Sequence, residues 1–377
     1  MARKLKSDKW LFMATLMLVC TSVVMVYSAS AIVLGERGEN PYLLLFKQGV
    51  FALIGLLCVQ LVMRIDYGHY RQPVVIWTGL AVVGTLLVAV LFGREVGGAT
   101  RWLNIGPLGI QPSEMAKLAV IVFVAALLER RMERIDEPAH ALVPVTFVLG
   151  IIVALILSQP DLGTAASIVM IAAVMIFAAG INYRYIAALA VMGLPALALL
   201  IYMSEYRMRR VQAFIDPWSY PLDSGYQVIQ SMIAVAVGGV SGRGLMDGVQ
   251  KLFYLPEPHT DFIYAVIAEE LGLLGATAVL VCFAVIAWRG LRISMHAEDR
   301  FGAFAALGLT MMIAAQAFVN MSVVLNLLPT KGIPLPFVSY GGSSLLINLI
   351  GMGILLNISQ HASASQIVTT TLPTADA

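Results

Sequence analysis

The chain is built of about ten continuous apolar runs, near residues 10 to 33, 43 to 63, 74 to 92, 115 to 128, 142 to 158, 164 to 180, 185 to 203, 262 to 288, 303 to 327 and 343 to 358. A helix crosses the hydrocarbon of a bilayer with roughly 20 mostly apolar residues; several of these runs are short for that, so their edges are soft. None alternates residue by residue as the strands of a membrane barrel do. Helices satisfy their own backbone hydrogen bonds in lipid. A composition of 59% hydrophobic and 12% charged residues, with a mean hydropathy of +0.86, excludes a water-soluble globule. The expected fold is therefore an all-α polytopic membrane protein of about ten transmembrane helices.

Lys and Arg set the orientation. With Arg3, Lys4, Lys6 and Lys9 in the cytoplasm, the connections carrying Arg64 and Arg71, Arg130, Arg131 and Arg134, Arg184, and Arg289, Arg292 and Arg300 fall there too. Leaving out the long polar segment 204–261, that places roughly 13 basic residues inside against about 5 outside, a positive-inside bias. Both termini are then cytoplasmic, and a long outer loop, residues 204–261, separates spans seven and eight. The first apolar run lacks a convincing cleavage site and is expected to be a span rather than a secretory leader. Residues 1–361 are expected to form one membrane domain, with 362–377, rich in Ser, Thr and Ala, a disordered cytoplasmic tail. Cys20, Cys58 and Cys282 lie in apolar runs and suit packing rather than disulfides. A net charge of +2 with no basic, aromatic-interleaved helix gives no footprint for nucleic acid.

The unusual chemistry lies in the outer loops. The segment Gly93 to Glu114 has five glycines and two prolines, which implies a turn-rich path rather than a strand or helix. Trp102, beside Arg101, suits either the headgroup belt of aromatics or an anchoring role. At Pro112-Ser-Glu-Met-Ala-Lys117, Pro112 suits a first helical turn, Ser113 a cap, and Glu114 a partnership with Lys117 one turn on. Ionisable groups dipping into a span cost roughly 3 kcal/mol each on insertion scales, which makes a functional role worth weighing against a structural pair. In Gln159-Pro-Asp-Leu-Gly-Thr164, Asp161 is either a helix cap or a site residue. The stretch Leu328 to Ser344 is too rich in Pro and Gly for a helix and too apolar for a free linker, so it reads as a re-entrant or interfacial segment buried in protein. Lys331 within it meets a phosphate or snorkels to water.

Within the long loop, Gly225 to Gly239 is helical in pattern but too short to span, and lies along the interface. Arg207, Arg209 and Arg210 precede Phe214-Ile-Asp-Pro-Trp218, and an Arg fork matches phosphate oxygens. The loop ends Tyr254-Leu-Pro-Glu-Pro-His-Thr-Asp261, a carboxylate at the threshold of an apolar helix expected from Phe262. Asp261 is either an N-terminal charge behind a Thr260 cap, stabilising by under about 1 kcal/mol, or a general base whose pKa is raised by desolvation and lowered by nearby Arg. His259 is a second candidate base. Glu269 and Glu270 sit deeper in the same apolar run and need partners from other spans.

The segments Gly98-Ala-Thr-Arg-Trp-Leu, Gln111-Pro-Ser-Glu, Gln159-Pro-Asp-Leu-Gly-Thr, Phe214-Ile-Asp-Pro-Trp, Gly225-Tyr-Gln, Leu255-Pro-Glu-Pro-His-Thr-Asp-Phe-Ile and Ser339-Tyr-Gly-Gly-Ser-Ser together resemble the bacterial shape, elongation, division and sporulation (SEDS) family over roughly residues 10 to 360. Arg207-Met-Arg-Arg210 and Leu328-Pro-Thr-Lys-Gly332 are more like the division branch than the elongation branch. The resemblance implies a peptidoglycan glycosyltransferase that polymerises lipid II in septal wall synthesis at the bacterial inner membrane. It makes Asp261 the essential carboxylate and gives importance to Trp102, Glu114, Lys117 and Asp161 around an outward cavity. It also implies a class B penicillin-binding protein as transpeptidase partner, alongside other divisome proteins. The chain departs from the family pattern at Ala236, Met246 and Asn326, where glycine is usual, and at Gly248, where serine is usual, which bears on local loop geometry.

For such a reaction the leaving lipid pyrophosphate needs cations, for which Arg210 and Lys331 are the first candidates and Arg207 a third. A divalent cation is compatible with the chemistry, but no cluster has dedicated ligand spacing. A lipid II flippase and a non-catalytic scaffold that activates the transpeptidase are the competing expectations.

Overall fold

The computed structural model describes residues 7–93, 100–105, 108–134 and 137–371. Each of the expected apolar runs forms a helix: α1 (Lys9–Glu36), α2 (Leu43–Val62), α3 (Pro73–Leu91), α4 (Pro112–Arg131), α5 (Pro138–Leu157), α6 (Leu162–Ala178), α7 (Tyr183–Tyr202), α10 (Ile263–Met295), α11 (Arg300–Val324) and α12 (Gly342–Thr371). The long loop adds α8 (Glu205–Ile215) and α9 (Tyr226–Gly238). Among the described residues seven helices are long and apolar enough to cross a membrane: α1, α2, α3, α7, α10, α11 and α12. α4 extends the expected apolar run at both ends, entering on Pro112 and leaving on Arg130 and Arg131, residues suited to a helix's first and last turns. α12 continues to Thr371, through much of the expected tail, and residues 372–377 lie outside the described residues.

α11 and α12 are the most enclosed of the seven and α7 the least. Asp8 caps α1 by accepting from Leu11 N at 3.1 Å, accepts from Arg289 Nε of α10 at 2.6 Å, and donates its backbone N–H to Ser359 Oγ at 3.1 Å. The start of α1 and the ends of α10 and α12 therefore meet at one end of the bundle. Asp261 sits at the opposite end.

Two loops depart from expectation. The segment before α4 contains a short antiparallel hairpin, β1 (Leu103–Ile105) with β2 (Leu108–Ile110), pairing Leu103 with Ile110 and Ile105 with Leu108. Apolar residues alternating about Asn104 favour that extended pairing over the glycines' preference for turns. Residues 94–99, including Gly98 and Ala99 of the first motif, lie outside the described residues. The segment 325–341 is non-helical, with Thr330, Ile333, Leu335, Phe337 and Val338 buried, as a re-entrant path requires.

α10 is broken at Gly272 (φ 65°, ψ −165°), a conformation open to glycine. The freed backbone groups are taken up by the strand-like stretch after α9. Arg243 N and Gly244 N donate to Glu269 O and Glu270 O, both at 3.0 Å, and Leu273 N and Leu274 N donate to Gly239 O and Val240 O at 2.9 and 3.3 Å. A Cβ at Gly272 would lie 2.2 Å from Gly242 N. The positions where glycine is usual keep glycine-like geometry: Met246 (φ 72°) and Asn326 (φ 54°) are both left-handed. Ala236 is helical and exposed, where it favours α9 by about 1 kcal/mol over glycine. At Gly248 any Cβ would press on Glu270 at 3.0 Å.

Gly272→Ala is expected to destabilise the fold by more than about 1 kcal/mol, read as a lower thermal unfolding midpoint in detergent. An unchanged midpoint would show that the splice across the break is dispensable.

Candidate active site

Asp261 ends a ribbon that two other elements stitch in place. Asn320 of α11 donates through Nδ2 to Asp261 O and Ile333 O, both at 2.8 Å. Ser339 Oγ donates to Thr260 O at 2.6 Å, and Tyr340 N to His259 O at 2.9 Å. Phe262, not Thr260, is the N-cap of α10, which starts at Ile263 with no side-chain cap; Thr260 Oγ1 instead bonds Glu257 O at 3.3 Å. Among the described residues the carboxylate oxygens of Asp261 accept no hydrogen bond. They face a cavity of about 240 Å³ whose wall includes Arg101, Trp102, Glu114, Lys117, Glu257 and Gln316. Gly332 lies so near that a Cβ there would be 3.1 Å from Asp261 Oδ2.

Burial raises the Asp261 carboxyl to about 6, with the negative charge of Glu257 adding to the rise and Arg210 and Arg101 opposing it. Desolvation thus outweighs both guanidinium groups. Arg101 donates to Gln159 O at 3.4 Å and to Pro160 O at 2.6 Å. Both partners are neutral carbonyls, so the cation on this wall is not neutralised by them.

Beneath lies a buried polar network. Glu114 and Lys117, each 3% exposed, form an ion pair at 2.8 Å. Lys117 also donates to Gln316 Oε1 at 2.7 Å, and Ser344 Oγ to Glu114 Oε2 at 3.1 Å. Gln316 Nε2 reaches Pro334 O at 2.9 Å, tying the pair to the re-entrant segment. Ser113 does not cap α4; Gln111 is the N-cap and Ser113 Oγ is buried without a partner among the described residues.

Of the residues singled out from sequence, Asp261, Trp102, Glu114 and Lys117 share this cavity's wall. Trp102 therefore faces the site rather than standing in a lipid-facing belt. Asp161 caps α6, accepting from Thr164 N at 3.1 Å, and its charge acts on Lys331. Burial lowers the Lys331 pKa, with Asp161 opposing, and neither side chain is on the cavity wall. Arg210 lines an adjoining cavity of about 540 Å³, where it packs over the Tyr206 ring, 4.5 Å from its centre, and donates to Thr330 O at 3.2 Å. Arg207 turns back to Leu200 O at 2.9 Å and lines neither cavity. His259 faces away from the Asp261 cavity, into a third.

Glu269 and Glu270 find their partners in the long loop between α7 and α10 as well as in α1. Glu269 accepts from Val249 N at 2.8 Å and Gln250 N at 3.2 Å. Glu270 pairs with Lys251 at 2.5 Å and accepts from Ser28 of α1 at 2.7 Å. Lys251, 1% exposed, was not among the sequence candidates; a lone Lys in a polar loop carries no sign of burial. Gln316 and Asn320 were legible in principle, as two amides one turn apart in an otherwise apolar span. Among the described residues no three His, Cys, Asp or Glu side chains gather as a metal site.

A sequence profile of the FtsW, RodA and SpoVE family, described as cell cycle protein, matches residues 9–364. The chain belongs to this family. A Geobacter relative (strain M18) described as "Probable peptidoglycan glycosyltransferase FtsW" is 41% identical over 357 residues, 93% of this chain and 96% of the relative. Stage V sporulation protein E of Bacillus subtilis is 40% identical over 365 residues, 96% of this chain and 99% of the relative. Among solved structures, a chain of a peptidoglycan synthase complex that coordinates polymerization and crosslinking is similar with a TM-score of 0.76 at 31% identity, covering 94% of this chain and 98% of that one. RodA of Thermus thermophilus is similar with a TM-score of 0.68 at 27% identity, covering 94% and 97%. With seven helices among the described residues long and apolar enough to cross a membrane, this family member is a multi-pass membrane protein.

Lys117→Met leaves Glu114 buried and unpaired and is expected to cost about 3 kcal/mol, whereas Lys117→Met with Glu114→Gln recovers most of that stability. Thermal melts of the three proteins in detergent check this; equal loss in single and double variants would show that the pair contributes through shape alone.

Proposed function

We propose that this chain is a peptidoglycan glycosyltransferase that polymerises lipid II into glycan strands, with Asp261 as general base. It acts in septal wall synthesis at the bacterial inner membrane with a class B penicillin-binding protein and other divisome proteins. Ten helices cross the bilayer in this reading, with both termini cytoplasmic and 204–261 outside. The observation that carries it is a carboxylate that accepts no hydrogen bond from the described residues, lining a cavity beside an arginine whose hydrogen bonds among those residues go to neutral carbonyls.

Asp261 takes the proton from a sugar hydroxyl of the acceptor as that oxygen attacks the donor's anomeric carbon. The bond from that carbon to the pyrophosphate oxygen breaks, its electron pair leaves with the lipid pyrophosphate, and the configuration inverts. A carboxyl near pKa 6 is a stronger base than an ordinary carboxylate yet is still ionised at neutral pH, and such a base typically contributes a hundredfold to ten-thousandfold. Arg101, on the wall of the Asp261 cavity, is a cation for the charge that develops on the departing phosphate. Arg210 acts from the adjoining cavity, while Lys331, half-buried and off the cavity wall, and Arg207, turned back to Leu200 O, are less directly placed. Trp102 offers a flat apolar face for a sugar ring, and the Glu114 and Lys117 pair holds the floor at fixed shape without net charge.

Asp261→Asn, reconstituted with a transpeptidase partner whose own active site is inactivated, is expected to abolish glycan ladders from labelled lipid II while partner binding persists. Ladders of wild-type strength would remove Asp261 from the chemistry. The base works only when ionised, so the wild-type rate is expected to be lost as pH falls through about 6. Glu257→Gln moves that acid limb to lower pH and Arg101→Gln moves it higher; limbs that do not move would exclude these neighbours as the source of the shift.

A further inference from the structure

A cavity of about 390 Å³ lies against the other side of the ribbon that carries Asp261. Glu257 lines both it and the Asp261 cavity. Its apolar wall comes from the end of α1 and the start of α2, through Ala29, Val33, Leu34 and Leu44. Its polar side holds Arg37, His259 and Lys251. The charge of Lys251 is matched by Glu270 at 2.5 Å. The Arg37 guanidinium, exposed, has no ion pair or hydrogen bond among the described residues. Burial lowers the His259 pKa, with Glu257 opposing and Arg37 adding. Left-handed backbone at Phe253 (φ 66°) and Glu257 (φ 51°) shapes the ribbon that partitions the two cavities.

An apolar wall on two membrane helices, beside an Arg37 guanidinium with no partner among the described residues and with Glu257 as the one carboxylate on the lining, suits an anionic lipid whose phosphates sit on the Arg37 side. The assignment of that lipid rests on the polymerase reading, in which two lipid-linked molecules must meet. The donor's anomeric carbon is bonded directly to its own pyrophosphate, so the donor's phosphates belong in the Asp261 cavity. The acceptor's reacting hydroxyl is at the sugar end remote from its own pyrophosphate. Its lipid anchor therefore lies a disaccharide away from Asp261, at the same end of the bundle. The third cavity occupies such a place, sharing Glu257 with the Asp261 cavity and lined by α1 and α2.

We propose that the cavity between α1, α2 and the 253–259 ribbon anchors the lipid-pyrophosphate end of the acceptor, its isoprenoid against Val33, Leu34 and Leu44 and its phosphates on Arg37. The test uses the full chain with its transpeptidase partner and carries Asp261→Asn, so that binding is read without turnover. A photoreactive benzoylphenylalanine replaces Leu44, and the probe is radiolabelled undecaprenyl pyrophosphate. Labelling that is competed by lipid II, resists excess phosphatidylglycerol, falls at least roughly fivefold in Arg37→Gln and recovers in Arg37→Lys is the expected result. No labelling, displacement by phosphatidylglycerol, or labelling indifferent to Arg37→Gln overturns the proposal. In the protein with Asp261 intact, Arg37→Gln is expected to raise KM for lipid II roughly tenfold with kcat within about twofold, the mark of lost binding rather than lost chemistry. An unchanged KM also overturns it. The two levels are separable: polymerisation without Leu44 labelling removes the anchor site alone, and labelling without any polymerisation removes the polymerase reading on which its assignment as acceptor site depends.

Discussion

Backbone that leaves the helical path inside an apolar bundle must find its hydrogen bonds within the protein, and around Asp261 the irregular segments find them in one another. The broken turn of α10 at Gly272 is completed by residues 239–244 after α9. The ribbon from 257 to 261 is held by Asn320, Ser339 and Tyr340. Asn320 binds that ribbon and the re-entrant segment with a single amide group, so the position of Asp261 depends on α11 as much as on its own helix. Loops that would be free in water become walls here because no water competes for their carbonyls.

The same scarcity of water sorts the charges. Glu114 with Lys117 and Glu270 with Lys251 are buried and paired, and Glu269 is satisfied by backbone N–H groups. Asp261 differs, with a carboxylate desolvated by its neighbours yet bonded to none among the described residues. Its raised pKa follows from that difference. Buried charges that are fully paired hold shape, and one that is left open is available for proton transfer.

The helices were legible because apolar runs of span length have few alternatives in lipid, and each expected run became a helix. The carboxylate at the head of α10 was legible too, as were the short helix α9 and the Glu114 and Lys117 pair, one turn apart on one helix. What failed did so where local preference met longer-range pairing. The glycine-rich loop formed a hairpin through the alternation about Asn104, and Thr260 and Ser113 gave up capping, Thr260 for a bond to Glu257. The three arginines of α8 looked alike in sequence but part in space: Arg210 turns to a cavity, Arg209 pairs with Glu205 and Asp223, and Arg207 returns to α7.

By itself the sequence determined a helical membrane protein with an acidic residue at one end of a span, since hydropathy and helix period depend only on neighbours along the chain. Which cation stands by that acid, which lysine is buried, and which side of the ribbon His259 and Arg37 face were decided by tertiary structure alone. Those relations join residues far apart in sequence through contacts such as Asn320 to Asp261 and Lys251 to Ser28. No local pattern of residues encodes them, because the hydrogen bonds and desolvation that select them exist only once the bundle has closed.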